Sequence, residues 1–378
     1  MTLPPPLDWR TAGIGPDPEL PPERRVTSEN WRTWPYMRWA FQHARELVPS
    51  RALPRSPHPR ALPVEPVDVS GMAFDWPGFL EATYADALLL LHRGRVVFEH
   101  YANGMGPETP HMGFSITKSV IGLVAERLIA LGKLDPESPV ERHVSALSGS
   151  GFAGVSLRHL LDMTDGVAFD EDYANRDADV HRYSAAYWGD GEGGTLGALR
   201  ALTARSAEAG ASFRYRTPVA DALGQVLPHA TGKRLSDLVA EHVWLPAGCA
   251  DEAYMLLDTA GVEMGGTGLN ATARDLARVS LWLMEQPGLL AALIAGGDRE
   301  LFARAGTRRG EGSYRSFWWV DHGDPPMLAA NGVFGQRIWI DPTHQLAMIR
   351  FGSHPLASNL QTEEVHRDAF AAVRVHLG

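Results

Sequence analysis

Strand-like alternation at two distant places is the feature that most restricts the fold of this chain. Residues 85–104, ADALLLLHRGRVVFEHYANG, predict two strands around a turn at Arg93-Gly94, and residues 335–352 predict a β-hairpin with a Pro turn. The stretch from 135 to about 300 carries mainly helical patterns and loops. Strands from both ends are therefore expected to join in one antiparallel sheet, which leaves the middle as a helical lobe.

These patterns predict an α+β fold with an antiparallel sheet flanked by helices. We expect residues 1–65, rich in Pro, Arg and Trp, to form an extension that wraps the core, with one helix near 36–47. Residues 66–134 and 305–378 should form the sheet lobe. Residues 135–304 should form the mainly helical lobe and carry an active-site loop.

Four helices are predicted from a 3.6-residue apolar period. They cover about Ser115–Leu131, which Gly132 ends, and then residues 156–166, 270–285 and the closing stretch 360–378. The first of them begins where the sheet lobe meets the helical lobe. Clefts between lobes are common positions for active sites, so we expect the functional site near Ser115.

Charge and composition exclude several classes of partner. The net charge is −10 with a pI near 5.8, which argues against a nucleic-acid or anionic-membrane partner. No apolar run of about 18 residues is present, and the N-terminal residues do not resemble a signal peptide, so we expect a cytoplasmic protein. The single cysteine, Cys249, excludes an intrachain disulfide, and we expect it to be a buried structural thiol. A homodimer is left open.

Metal and nucleotide sites are not expected either. The 15 His residues show no His-Glu-x-x-His spacing and no Cys pair accompanies them. The GGTG at 265–268 lacks the Lys and the βαβ setting of a phosphate loop, so a turn is the simpler interpretation. We predict no metal and no cofactor.

The start of the helix at Ser115 carries an unusual pair. Lys occurs only at positions 118, 133 and 233 among 35 basic residues, so this chain uses Arg almost everywhere it needs a cation. Arg cannot lose its proton in a protein, whereas a buried Lys can. Ser115 and Lys118 are three residues apart, which places both side chains on one helix face. A neutral Lys118 amine would then be able to take the proton from Ser115 Oγ.

A simpler explanation exists for Ser115, because Ser is a favoured helix N-cap. The third helical position argues against that explanation. A capping box has Glu or Gln there, and this helix has Lys118, a cation placed at the positive end of the helix dipole. The functional interpretation also uses the helix end, since the Ser115 N–H would point at a developing oxyanion.

Ser-x-x-Lys at the start of a long apolar helix resembles the serine β-lactamase and penicillin-binding-protein superfamily. The chain is more similar to class C β-lactamase-related hydrolases, which include esterases and 6-aminohexanoate-dimer hydrolases. The likeness covers most of the chain and includes SENWRTWPYMRWAFQHARELVPS, GFSITKSV, HLLDMTDGVAFDEDYANRDADVHRYSAAYW, NATARDLARV and GVFGQRIWIDP. It implies the β-lactamase/transpeptidase-like fold and a serine hydrolase that needs no cofactor.

The resemblance also implies roles for residues outside the helix. Tyr215 in FRYRTPVADALGQVL matches the tyrosine that relays protons between nucleophile and leaving group. The strand tripeptide ending in Gly matches Val333-Phe334-Gly335, and the N–H of Gln336 would complete the oxyanion hole with that of Ser115. Tyr173 in DEDY matches a loop residue over the bound substrate, and Trp188 follows in the same region. Together with Phe334 and Gly335, these two residues are the expected substrate contacts.

Two departures from the superfamily pattern bear on the substrate. The tyrosine motif of β-lactamases ends in Asn where this chain has Thr217, and their third motif begins with Lys where this chain has Val333. Those polar groups hold a β-lactam and its carboxylate. The apolar Val333-Phe334 edge instead suits an uncharged, linear ester or amide, and we expect a small molecule of this class as substrate. A true β-lactamase or D,D-peptidase is one alternative, and a catalytically silent binding protein on the same fold is another.

Overall fold

The computed structural model describes residues 3–307 and 311–378. Its strands are β1 (Ser50–Leu53), β2 (Ala85–His92), β3 (Arg95–Tyr101), β4 (His111–Met112), β5 (Ala253–Leu256), β6 (Leu269–Ala271), β7 (Gly312–Arg315), β8 (Trp318–Asp321), β9 (Met327–Gly332), β10 (Gln336–Asp341) and β11 (Leu346–Gly352). The larger sheet has the order β3-β2-β11-β10-β9-β8-β7 with antiparallel neighbours. Strands from both ends of the chain thus share one sheet, and this prediction is confirmed.

Both predicted hairpins are present in the larger sheet. The β2–β3 turn falls at Arg93 and Gly94, which both have positive φ angles of 49° and 77°. The β10–β11 hairpin pairs Asp341 with Leu346 across its Pro turn. In β2, β10 and β11 nearly every residue is buried, because helices cover both faces of the sheet there.

Helices connect and cover the strands. They are α1 (Trp9–Ala12), α2 (Met37–Ala40), α3 (Trp76–Ala82), α4 (Ile116–Ala130), α5 (Val140–His143), α6 (Leu157–Leu161), α7 (Asp179–Tyr183), α8 (Ala185–Trp188), α9 (Gly194–Ala201), α10 (Thr217–Thr231), α11 (Leu235–Val239), α12 (Ala273–Met284), α13 (Pro287–Ile294), α14 (Arg299–Arg304) and α15 (Glu363–Leu377). α3 and α15 pack on one face of the larger sheet, while α4 and α12 pack on the other.

The helix predictions hold for the long elements. α4 ends before Gly132, whose φ of 66° is the left-handed conformation that ends a helix. α12 begins after Thr272, whose hydroxyl accepts the N–H of Asp275 as a cap. Two predictions were too long. α6 is confined to Leu157–Leu161, and the helix expected near 36–47 is broken into α2 and a 3-10 turn at Ala44–Glu46.

A second sheet was not predicted. It has the order β1-β5-β6-β4, so the N-terminal extension and the segment before Ser115 contribute one strand each and the middle of the chain contributes two. Thr117 joins this sheet to α4, because its hydroxyl accepts the N–H of Leu269 at 2.9 Å and donates to the carbonyl of Phe114 at 2.7 Å. The second sheet therefore fixes the start of α4. The division into lobes at 134 and 304 stays a prediction.

The extension is fixed to the larger sheet by a buried ion pair. Arg38 donates to Asp86 at 2.7 Å and to the hydroxyl of Ser353 at 2.9 Å. Trp31 and Trp39 are buried, whereas Trp34 is only half-buried. Within residues 3–307 and 311–378, no helix is both long and apolar enough to cross a bilayer. The cytoplasmic location and the homodimer stay predictions.

Candidate active site

Ser115 lies at the N-terminus of α4 in a conformation that does not use its hydroxyl as a helix cap. The preceding residue, Phe114, has a φ of 47°, which is strained for an aromatic residue. Its ring is held between Phe41 and Phe334, with centroid distances of 4.8 and 5.2 Å. This packing stabilises the strained turn that presents Ser115. Backbone strain of this kind is concentrated at functional sites.

Lys118 makes the contact that the spacing predicted. Its Nζ lies 2.7 Å from Ser115 Oγ and donates to the carbonyl oxygen of Gly266, also at 2.7 Å. The amine is almost completely buried, with 1% of its residue surface exposed. The carbonyl of Gly266 orients the amine toward Ser115. The Ser115 hydroxyl therefore does not act as a simple helix N-cap.

Burial changes the proton affinity of Lys118. Loss of water around the ammonium group lowers the pKa of Lys118 to about 8, while the nearby carboxylates of Glu171 and Asp221 act in the opposite direction. A pKa near 8 means that a useful fraction of the amine is unprotonated at neutral pH. The predicted free-amine role for Lys118 is thus compatible with its surroundings.

Tyr215 lies beside this amine. Lys118 Nζ is 5.4 Å from the centroid of the Tyr215 ring. The ring stacks on Trp319 with centroids 5.5 Å apart and an interplanar angle of 17°, and it contacts Tyr314 edge-on. These aromatic contacts hold the half-buried ring in place at the start of α10. Ser115, Lys118 and Tyr215 are thus brought together from two helix N-termini.

The loop that carries Tyr173 also brings a carboxylate into the site. Glu171 accepts hydrogen bonds from the backbone N–H of Thr217, from the Thr217 hydroxyl at 2.6 Å and from Tyr173 at 3.2 Å. Burial raises the pKa of Glu171, and the positive Lys118 opposes that rise. The loop is therefore anchored to the N-terminus of α10. Glu171 was missed at the sequence level, although it lies in the DEDY motif chosen for its tyrosine.

A second carboxylate that the sequence analysis did not identify, that of Asp221, lies near Lys118. Asp221 is 1% exposed and accepts hydrogen bonds from Tyr183, from Tyr187 and from the N–H of Gly266. Burial raises the pKa of Asp221 to about 6. Asp221 fixes the Gly266 peptide, and that peptide in turn accepts from Lys118. The GGTG turn is confirmed as a turn, and it is also part of the site.

Only glycine fits at position 266. A Cβ there would lie 2.7 Å from the Tyr187 hydroxyl and 2.8 Å from the Thr217 methyl carbon. The backbone of the turn can lie against Tyr187 and Thr217 because this side chain is missing. The close approach is a signal that sequence reasoning could have used, since a Gly-rich turn often marks a tight backbone contact.

Two cavities share Ser115 in their walls. The first, which we call the Tyr215 cavity, has a volume of about 630 Å³ and is lined by Ser115, Glu171, Tyr173, Tyr215, Asn331 and Val333, among others. The second, the Trp188 cavity, has about 340 Å³ and is lined by Ser115, Arg32, Tyr173, Trp188, Val333 and Phe334, among others. Tyr173, Trp188 and Phe334 thus lie where substrate contacts were predicted. A linear substrate would extend through both cavities with its reacting carbonyl at Ser115.

The structure does not bring Gly335 and Gln336 to this site. The described residues that line the two cavities include Val333 but neither of these two. The Gln336 side chain is buried and donates to the carbonyls of Val333 at 3.1 Å and Gly352 at 2.7 Å. The 3-10 turn Val333–Gly335 separates both residues from the end of β9, and Gly335 lies against the Arg350 guanidinium instead.

The end of β9 is what faces Ser115 instead. A Cβ on Gly332 would lie 2.5 Å from the carbonyl oxygen of Gly113, so the two backbones are in direct contact. Val333 follows immediately and lines both cavities. Its N–H is therefore the better candidate for the second oxyanion donor.

Other candidate chemistry is not supported by the described residues. Within residues 3–307 and 311–378, no group of three or more His, Cys, Asp or Glu side chains is arranged to hold a metal ion. Cys249 is completely buried, and burial raises the pKa of its thiol well above the ordinary value. A thiol in that state is a structural group rather than a nucleophile.

The regions of this chain that match known proteins cover most of its length. Residues 80–372 match the family described as Beta-lactamase. A 6-aminohexanoate-dimer hydrolase of Paenarthrobacter ureafaciens is 30% identical over 348 residues, which cover 87% of this chain and 88% of that protein.

Solved structures show the same fold. A Bacillus anthracis protein, provisionally assigned as a 6-aminohexanoate-dimer hydrolase, superposes with a TM-score of 0.79 at 23% identity, covering 95% of this chain and 98% of that one. EstCE1, a hydrolase with promiscuous acyltransferase activity, gives a TM-score of 0.58 at 20% identity, with coverages of 73% and 91%. At these identities the likeness establishes the fold alone.

Proposed function

This chain belongs to the Beta-lactamase family, and from that membership we propose that it is a serine hydrolase that cleaves linear ester or amide bonds through an acyl-enzyme. The β-lactamase/transpeptidase-like fold expected from the sequence is confirmed by the likeness to solved structures. The relative from Paenarthrobacter ureafaciens makes short linear amides of ω-amino acids one substrate class to test.

The observation that carries the proposal is the contact between Lys118 and Ser115. A buried amine with a pKa lowered to about 8 lies 2.7 Å from the serine oxygen. A serine hydroxyl is a weak nucleophile until a neighbouring base removes its proton. Lys118 in its neutral form has the position and the proton affinity for that task.

The reaction would proceed in two steps. In the first, Lys118 accepts the proton from Ser115 while Oγ attacks the substrate carbonyl. The tetrahedral intermediate then expels the leaving group as Tyr215 donates its proton to it, and the proton held by Lys118 passes to the Tyr215 oxygen. In the second, water attacks the acyl-enzyme, its proton passes back through the same groups, and the acid leaves. Tyr215 has the position for this relay because it lies beside the amine and lines the same cavity as Ser115.

We place the oxyanion hole at the backbone N–H groups of Ser115 and Val333. Both residues line both cavities, and the contact between Gly332 and Gly113 holds the two backbones together. Two such donors aimed at the developing charge contribute a large share of catalysis in acyl-transfer enzymes. Val333 replaces Gln336 in this role.

The surroundings favour a linear substrate over a β-lactam. The position that carries Asn in β-lactamases is Thr217, and its hydroxyl is occupied by the carboxylate of Glu171. A negative group at that point repels a substrate carboxylate. The strand that faces Ser115 brings Val333 and Phe334 to the cavity wall, and these suit the apolar part of a linear ester or amide.

Active-site labelling tests the proposal. We expect a fluorophosphonate probe to form a covalent adduct on Ser115, located by peptide mass spectrometry, and Ser115→Ala to lose both labelling and hydrolysis of 4-nitrophenyl butyrate. The variant should fold normally, because the Ser115 hydroxyl makes no capping bond. Retained labelling, or activity above a few percent of wild type, would contradict the assignment. An unlabelled wild-type protein would support the silent binding-protein alternative.

A further inference from the structure

Arg32 lies in the wall of the Trp188 cavity, which Ser115 also lines and Tyr215 does not. It comes from the N-terminal extension and not from the lobes that carry the catalytic groups. Its guanidinium carbon is 5.6 Å from the ring centroid of Trp31 and 5.4 Å from that of Trp188. The two indoles contact each other edge-on at 5.1 Å. The cation is therefore held in position by aromatic contacts.

The charge of Arg32 is not neutralised within the described part of the chain, where no carboxylate is in ion-pairing distance of it. Two buried arginines, by contrast, each have a carboxylate partner. Arg38 pairs with Asp86 at 2.7 Å, and Arg337 pairs with Glu363 at 2.7 Å. A cation held away from water without a counter-ion costs free energy, which an anionic ligand would recover.

Other groups in the cavity do not cancel this charge. Glu29 also lines the cavity, but its side chain is exposed to solvent, where its charge is screened. His181 and the tyrosines 183 and 187 complete the polar part of the wall. Burial lowers the pKa of Arg32 only to about 10, so the guanidinium is protonated at neutral pH.

The position of Tyr215 decides which part of a substrate reaches Arg32. Tyr215 is the proposed proton donor to the leaving group, and it lines the Tyr215 cavity but not the Trp188 cavity. The leaving group therefore occupies the Tyr215 cavity, and the acyl chain on Ser115 extends into the Trp188 cavity. Its far end then meets Arg32.

We propose that Arg32 binds an anionic group at the far end of the acyl chain, so that the enzyme favours half-esters and half-amides of dicarboxylic acids. The inference rests on the proposed function for the direction of the substrate. The planar guanidinium donates two parallel hydrogen bonds to a carboxylate, and the flanking indoles keep its plane fixed. Hydrolysis releases the dicarboxylate and the alcohol or amine.

Two esters of equal chain length test this preference. Mono(4-nitrophenyl) adipate carries the distal carboxylate, and 4-nitrophenyl hexanoate ends in a methyl group. We expect the specificity constant of the wild-type protein to be at least tenfold higher for the adipate, because a hydrogen bond to a charged group distinguishes ligands by about ten- to a hundredfold. A wild-type preference for hexanoate would overturn the proposal.

Three substitutions locate the anion site. Arg32→Met should reduce the adipate-to-hexanoate ratio tenfold or more. Arg55→Met removes the same charge from an exposed position of the extension and should keep the wild-type ratio. Arg214→Met removes an arginine that lines the Tyr215 cavity. If the ratio falls with Arg214→Met and not with Arg32→Met, the acyl chain lies in the other cavity and the proposal is wrong.

Binding of free adipate separates this inference from the proposed function. Calorimetric titration into the Ser115→Ala protein should show adipate binding that Arg32→Met weakens at least tenfold and that hexanoate does not reproduce. If the wild-type protein hydrolyses neither ester but still binds adipate through Arg32, the serine-hydrolase proposal fails and the anion site stands. If hydrolysis occurs without Arg32-dependent adipate binding, the proposed function stands and this inference fails.

Discussion

The lowered pKa of Lys118 predicts how the activity should depend on pH. In the proposed mechanism the neutral amine is the active form, so activity should be gained as pH rises through the pKa of about 8. The pH dependence of the specificity constant for 4-nitrophenyl butyrate reports the pKa of the free enzyme. The rising limb of that pH profile should therefore have a midpoint near 8. An unperturbed lysine would place that limb near the ordinary value of 10.5.

The size of the effect follows from the same two values. At pH 7 a group of pKa about 8 is unprotonated in about one molecule in eleven, against about one in three thousand for a pKa of 10.5. Burial thus increases the fraction of free amine by about 300-fold. The specificity constant should rise about fivefold from pH 7 to 8 and less than twofold from 8 to 9.

The assay is an initial-rate series from pH 6.5 to 9.5 at substrate concentrations well below KM. The range stays above the pKa of Asp221, about 6, so that this neighbour keeps its charge. Lys118→Arg is the control, because Arg keeps the positive charge but cannot act as a base. It should be nearly as inactive as Lys118→Ala. A flat wild-type profile, or an active Lys118→Arg protein, would refute the free-amine mechanism.

Three further predictions concern substrate, electrostatics and packing. 4-Nitrophenyl butyrate should be hydrolysed with a specificity constant at least tenfold above that of nitrocefin. The polar contacts for a lactam carboxylate are missing, and each such contact changes the specificity constant by about ten- to a hundredfold. A higher specificity constant for nitrocefin would restore the β-lactamase alternative. Asp221→Asn should move the rising limb of the pH profile to lower pH, because the carboxylate raises the pKa of Lys118, and an unmoved or higher midpoint would contradict that coupling. Gly122→Ala should lower the free energy of unfolding in urea by about 1–3 kcal/mol, because the added Cβ would lie 2.0 Å from the carbonyl oxygen of Ser316; unchanged stability would mean that the Ser316 loop moves freely.

The parts of the fold that the sequence predicted are those with a long local signal. The hairpins at 85–101 and 336–352 and the helices α4, α12 and α15 carry their periodicity over many residues. The second sheet has no such signal, because β4 spans two residues and β6 spans three. Its strands exist because segments far apart in sequence pair with one another, and that pairing depends on tertiary packing.

The active site, like the fold, has parts that a local sequence signal predicts and parts that depend on tertiary packing. The contact between Lys118 and Ser115 follows from their spacing on one helix turn, so the sequence was sufficient to predict it. Arg32, Glu171 and Asp221 reach the same place from separate loops and helices, and no spacing rule connects them. Glu171 and Asp221 nevertheless affect the pKa of Lys118. The electrostatics of the site therefore depend on residues that only the fold brings together.

The oxyanion donor shows why a short motif can be assigned in the wrong register. Two glycines three residues apart, Gly332 and Gly335, each end a tripeptide that fits the family pattern on this strand. A Cβ on Gly335 would meet the side chain of Arg350, whereas one on Gly332 would meet the backbone of Gly113 beside the nucleophile. Only the second contact lies close to Ser115 in the chain, so we propose the Val333 N–H as the donor. The tripeptide in that register begins with Ala330 and not with Lys, so the argument against a β-lactam substrate holds in either register.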